Sequence, residues 1–105
     1  MRPSLELIIK MNVFEIVDKT GRKICLTKKQ WKHITEKHPD ISGKEEETKQ
    51  VLEKPDLILS HRFDENAGNY YKYNKKERAY FFVSAKYLNG DGFVITSFYT
   101  RHIRR

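Results

Sequence analysis

The run Asn89, Gly90, Asp91, Gly92 separates two stretches, residues 79–88 and 93–100, in which apolar and polar side chains alternate. Asn-Gly and Asp-Gly pairs accept the positive φ angles of tight hairpin turns, so this segment commits the C-terminal part of the chain to an antiparallel hairpin. A chain of 105 residues has room for one modest core and not for two. Residues 1–105 therefore read as a single domain organised around that hairpin.

The upstream elements follow from local signals. Residues 13–17 alternate as a strand, residues 18–21 form a polar turn, and residues 24–26 supply a hairpin partner. Residues 5–9 fit a short strand or a helical turn equally well. Thr27 with Gln30 three positions on has the form of a capping box, opening a helix that runs to about His38 and is stopped by Pro39. Ser42 with Glu45 predicts a second capping box. The glutamates 45, 46 and 47 then sit in a first helical turn, where negative charge complements the helix dipole. Thr48, Val51 and Leu52 share one face of that helix, which ends before Pro55. Strands are expected at 57–61 and 70–73, ahead of the long hairpin. The fold class implied is α+β: two N-terminal helices packed on a four-stranded antiparallel sheet, with a small leading β-hairpin.

Hydrophobic residues at 38% and charged residues at 33% place the chain among globular proteins rather than disordered ones. The formal charge of +7 concentrates anions near the surface, and nucleic acid is the commonest anionic partner; solubility alone is an equally good account of charge taken by itself. The one cysteine, Cys25, lies between Ile24 and Leu26, where a buried inert thiol is expected. A reducing cytoplasm suits this usage. No segment has the roughly 18 apolar residues of a membrane span, and the first ten residues do not form a secretory signal.

At 100° per residue, Trp31, Ile34, Thr35 and His38 share a face of the first helix, while His33 points away beside Lys37. Taken alone, His38 reads as a packed helix-end histidine and His33 as plain surface. Across the C-terminal hairpin the expected pairs are Leu88 with Phe93, Lys86 with Ile95, Ser84 with Ser97, and Phe82 with Tyr99. That register puts Lys86, Ser84, Ser97 and Tyr99 on an outward polar face. Phe81, Val83, Ala85, Val94, Thr96 and Phe98 then fall on the face that covers the helices. These residue types suit metal-free RNA cleavage. Such a reaction needs a base for the 2′-hydroxyl proton, an acid for the leaving oxygen, and cations or donors for the negative transition state. The four histidines (33, 38, 61 and 102) are widely spaced and Cys25 is isolated, so no transition-metal set is expected; a phosphate-binding glycine loop is also missing from the sequence.

The run Trp31, Lys32, His33, Ile34 followed by His38-Pro39 resembles a signature of the phage-associated barnase/EndoU/colicin/RelE-like nucleases. Lys54-Pro55-Asp56, the strand Leu57-Ile58-Leu59, the pair Tyr70-Tyr71 and the closing run from Val94 to Thr100 extend the resemblance over residues 26–100. It implies two helices followed by a four-stranded antiparallel sheet. It also implies metal-independent endoribonuclease activity, of the kind found in toxins and mobile elements, with no cofactor. His33, His38, Thr96 and Thr100 match family positions; Phe98 stands where a tyrosine is usual. On this reading His38 is the general acid/base, with His33 the alternative. Lys86 stabilises the phosphorane charge with Ser97 and Thr100, Tyr71 and Tyr99 stack or orient the substrate, and Arg101, Arg104 and Arg105 form a basic tail that either holds the RNA backbone or is a solvated terminus. The partners implied are RNA and an acidic antitoxin or immunity protein, with no membrane. A module of the same fold that binds RNA or a ribosome without cutting it uses the same charge and aromatics.

Overall fold

The computed structural model describes residues 11–103; the 5–9 segment and Arg104 and Arg105 lie outside the described residues. In chain order the elements are β1 (Asn12–Val17), β2 (Lys23–Thr27), α1 (Lys28–Lys37), a 3-10 turn (Pro39–Ile41), α2 (Glu45–Glu53), β3 (Leu57–His61), β4 (Asp64–Asn74), β5 (Ala79–Leu88) and β6 (Asp91–Thr100).

The expected four-stranded antiparallel sheet with a separate leading hairpin is not what forms. All six strands belong to one mixed sheet, ordered β1-β2-β6-β5-β4-β3, in which β2 and β6 pair in parallel and every other pair is antiparallel. The seam between β2 and β6 is short, joining Lys23, Ile24 and Cys25 to Asp91, Gly92 and Phe93. Glycine makes it feasible. A Cβ built at Gly92 would stand 2.6 Å from Ile24 Cδ1 and 3.0 Å from the Lys86 carbonyl oxygen. Turn chemistry announces a hairpin, but this close approach comes from a strand far away in sequence, and no local pattern encodes it.

Capping follows the expected form at one helix and departs from it at the other. Thr27 Oγ1 accepts the Gln30 amide at 3.1 Å and starts α1, while the Gln30 side chain turns away from the helix. At α2 the N-cap is Lys44, with no side-chain cap, and Ser42 instead ends the 3-10 turn that Pro39 begins. Proline at the first position favours that extra turn, which displaces Ser42 from the capping position. Thr48, Val51 and Leu52 are buried on α2 as their spacing predicts. They join Ile24, Leu26, Ile34, Tyr70, Phe81, Val83 and Val94 in a core held between the helices and one face of the sheet.

A buried carboxylate ties the β1–β2 turn to that core. Asp18 Oδ1 accepts from the amides of Thr20 and Arg22 and from the Thr20 hydroxyl, and Asp18 Oδ2 accepts from the Tyr70 hydroxyl. Since Tyr70 donates there, Tyr87 donates to Tyr70 across 2.6 Å. Arg22 lies over the Tyr87 ring, 4.1 Å from its centroid. No helix among the described residues is long and apolar enough to cross a membrane.

Two consequences follow for stability. Gly92→Ala puts a Cβ against Ile24 Cδ1 and the Lys86 carbonyl oxygen and is expected to lower unfolding free energy by about 1–3 kcal/mol in urea denaturation; an unchanged midpoint would show that the packing around Gly92 has slack. Burial, and then the Asp18 hydrogen bond, push the Tyr70 phenol far above its ordinary value. The folded state therefore holds this proton more tightly than the unfolded chain. Its stabilisation is complete below about pH 10, the ordinary tyrosine value, and falls as pH rises beyond it. Tyrosinate absorbance should show Tyr70 titrating only with unfolding, and Tyr70→Phe should flatten the alkaline limb of the stability profile.

Candidate functional site

The face of the sheet opposite the helices holds a cleft of about 370 Å³. Its position depends on the register of β5 and β6. Asn89 (φ 53°) and Gly90 (φ 86°) form a two-residue turn, so Leu88 pairs with Asp91, Lys86 with Phe93 and Ala85 with Val94. A bulge then intervenes, and beyond it Ser84 pairs with Thr96, Val83 with Ser97, Phe82 with Phe98 and Tyr80 with Thr100. Ile95 is the extra residue, and its carbonyl accepts the Gln30 side-chain amide at 2.6 Å.

This register overturns the expected faces, because one inserted residue sends every later side chain to the other side of a strand. Ser97 and Tyr99 face the helices. Ser97 is fully buried and its hydroxyl has no partner among the described residues. Tyr99 packs edge-on against Phe81 at 4.9 Å, with the Lys44 ammonium 5.7 Å from its ring centroid. Neither can meet a substrate on the open face. Thr96, Phe98 and Thr100 line the cleft in their place.

The cleft floor is built as rows across the strands. Tyr71, Phe82 and Phe98 occupy successive strands in one aromatic row, with ring centroids 5.1 Å and 4.7 Å apart. The adjacent row is polar: Asn69, Ser84 and Thr96. Asn69 Oδ1 is buried without a hydrogen-bond partner among the described residues, and Ser84 is 9% exposed. A buried carbonyl oxygen lacking a donor is costly unless water or a ligand supplies one. His61 and His102 complete the lining. His61 Nδ1 accepts the Phe63 amide at 3.2 Å, so the neutral imidazole carries its proton on Nε2. The turn bearing His102 is held by the Thr100 hydroxyl, which donates to the His102 carbonyl at 3.0 Å and accepts from its amide at 3.3 Å.

The remaining sequence candidates are dispersed. His38 caps the end of α1 and packs its ring on Phe98, with centroids 5.0 Å apart, at the rim of the cleft. His33 is exposed on the outer side of α1, and Arg101 is exposed just past β6. Lys86 is ion-paired with Asp64, and this pairing, followed by the Asn66 amide, holds the Asp64 carboxyl below its usual range. The Cys25 thiol is pushed up by burial and then by Glu15 and Asp91, which disfavours the reactive thiolate. Sequence reasoning missed His61, His102 and Asn69 as site residues. Strand alternation places His61 on the face of Leu57 and Leu59, but nothing in the sequence says which face remains open.

No group of three or more His, Cys, Asp or Glu side chains among the described residues is arranged to hold a metal ion. Set against family models, curated proteins and solved structures, the chain matches none.

The Gln30 side chain donates to the carbonyl of the bulged residue Ile95 from the edge of β6 that β2 leaves unpaired. Gln30→Ala is expected to cost about 1 kcal/mol and to speed amide hydrogen exchange at residues 96–100 while leaving β3 and β4 protected. Uniform exchange across the sheet would mean that the bulge is held by β5 alone.

Proposed function

We propose that the open-face cleft binds single-stranded RNA and cleaves it by acid–base chemistry on the 2′-hydroxyl. The observation that carries this reading is the lining itself: histidines, hydroxyls, an unpaired amide oxygen and an aromatic row sharing one concave surface on a chain of charge +7. Aromatic side chains stack unpaired bases, and amide and hydroxyl groups read their edges. Tyr71, Phe82 and Phe98 fit the first task, Asn69 and Ser84 the second.

His38 and His102 flank the end of β6 at Phe98 and Thr100, and they take the two proton-transfer roles. In this scheme His38 removes the proton of the 2′-hydroxyl and the freed oxygen attacks the adjacent phosphorus. The bond from phosphorus to the 5′-oxygen breaks, and His102 delivers a proton to that oxygen. The products are a 2′,3′-cyclic phosphate and a 5′-hydroxyl. Thr96 offers a hydroxyl to the phosphate oxygens. The Thr100 hydroxyl is already committed to the backbone of His102, so Thr100 acts as a positioning residue. His61 presents Nε2–H at the other part of the lining, as a donor to the bound strand.

One observation favours a second reading, in which the cleft binds RNA without cutting it. Among the described residues no lysine or arginine lines the cleft, and Lys86 is neutralised by Asp64. The transition state would then rely on hydroxyl, amide and imidazole donors alone.

Incubation of the purified protein with RNA in excess chelator tests both. Cleavage predicts fragments ending in cyclic phosphate and a fall of about 10²-fold or more for His38→Ala or His102→Ala, each checked for native folding. His61→Ala should raise KM more than it lowers kcat. Intact RNA that the protein nonetheless retains selects the binding reading, and RNA neither cut nor retained refutes both.

A further inference from the structure

We propose that the outer face of α1 is the backbone-binding rail of this protein, carrying the phosphates of an RNA strand whose bases enter the cleft. The inference rests on the reading of the cleft as an RNA site and assigns the charge interactions that the cleft lacks. Four exposed lysines, Lys28, Lys29, Lys32 and Lys37, lie on the arc of α1 turned away from the core, with Glu36 the one acidic residue of the helix. None of the four pairs with a carboxylate among the described residues, where the ion pairs are Lys23–Glu15 and Lys86–Asp64.

Their placement runs against helix stability. Lys28 and Lys29 open the helix, and its first turn holds no acidic residue. Positive side chains there face the positive end of the helix dipole and are unfavourable. The other helix of the same chain does the reverse, with Glu45, Glu46 and Glu47 in its first turn. A polyanion passing this end of α1 meets the lysines and the dipole acting in the same sense.

The rail is continuous with the cleft. β2 pairs with β6 only as far as Phe93, and beyond that point α1 lies beside β6. Gln30 reaches the Ile95 carbonyl and His38 packs on Phe98, so side chains from both ends of the helix touch residues that line the cleft. A strand leaving the aromatic row past β6 crosses directly onto α1. Phosphate interactions supply most of the affinity of such complexes and give it its salt dependence.

The test is the salt dependence of binding to a single-stranded RNA oligonucleotide bearing 2′-O-methyl groups, which cannot be cut through its own 2′-oxygen. Removing one lysine–phosphate interaction lowers the slope of log K against log salt by about 0.7. K28Q/K29Q/K32Q/K37Q should therefore show a much shallower slope and weaker binding at low salt. K19Q/K54Q/K75Q/K76Q removes the same charge from exposed positions elsewhere and should keep most of the wild-type slope. K28Q/K29Q should also melt at a higher temperature than wild type, which a merely structural role for these lysines would not produce. Equally reduced slopes in the two quadruple variants, or an unchanged slope in the first, overturn the rail while leaving the cleft reading intact. Failure of the wild type to bind the oligonucleotide at any salt concentration overturns the cleft reading itself.

Discussion

The arrangement of the open face depends on one inserted residue. Ile95 has no partner of its own on β5, and its presence decides that Thr96, Phe98 and Thr100 face the cleft while Ser97 and Tyr99 face the helices. A continuous ladder from the same Asn89-Gly90 turn would reverse that assignment and bring the Ser97 and Tyr99 hydroxyls to the open face. Two features fix the insertion. The turn, with positive φ at both central residues, sets the register at one end, and Gln30 holds the displaced carbonyl from the side. The helix that supplies Gln30 also supplies His38. One short helix thus both secures the bulge and delivers a histidine to the rim that the bulge creates.

Much of the fold was legible because it is local. Thr27 and Pro39 bound the first helix, the buried face of α2 follows its spacing, and Asn89-Gly90 marks the hairpin. What escaped was non-local. The parallel seam of β2 with β6 packs Ile24 Cδ1 where a Cβ on Gly92 would stand, and a glycine beside a turn is already accounted for by the turn. Ser42 misleads for a related reason: the capping pattern is present, but Pro39 begins a competing 3-10 turn that takes Ser42 as its end.

The candidate site was legible by residue type more than by position. Tyr71, Thr96 and Thr100 line the cleft, whereas Ser97 and Tyr99 belong there only in a register lacking the bulge. An extra residue in a strand leaves the alternation pattern readable in either phase, so only the paired strand discloses it. His61 and His102 lie 41 positions apart, on β3 and just past β6, and come to line one cleft through the order of the sheet. Phe98 gains a different meaning as well. In the expected register it is a core residue out of keeping with the family pattern, and in the structure it is the aromatic surface between Phe82 and His38.

The distribution of charge follows from these constraints. A cleft floored by Tyr71, Phe82 and Ser84, each at most 9% exposed, would strip water from any ammonium placed there, and an unpaired buried cation is unfavourable. The lysine nearest to that floor on β5, Lys86, is accordingly held by Asp64. Cations can stay hydrated, and so available to phosphate, only outside the floor, on a surface that still adjoins it. α1 meets that condition because β2 stops short and leaves the side of β6 to the helix. The early end of β2 therefore does two things at once: it opens the edge that Gln30 latches, and it sets a lysine-bearing surface against an aromatic cleft.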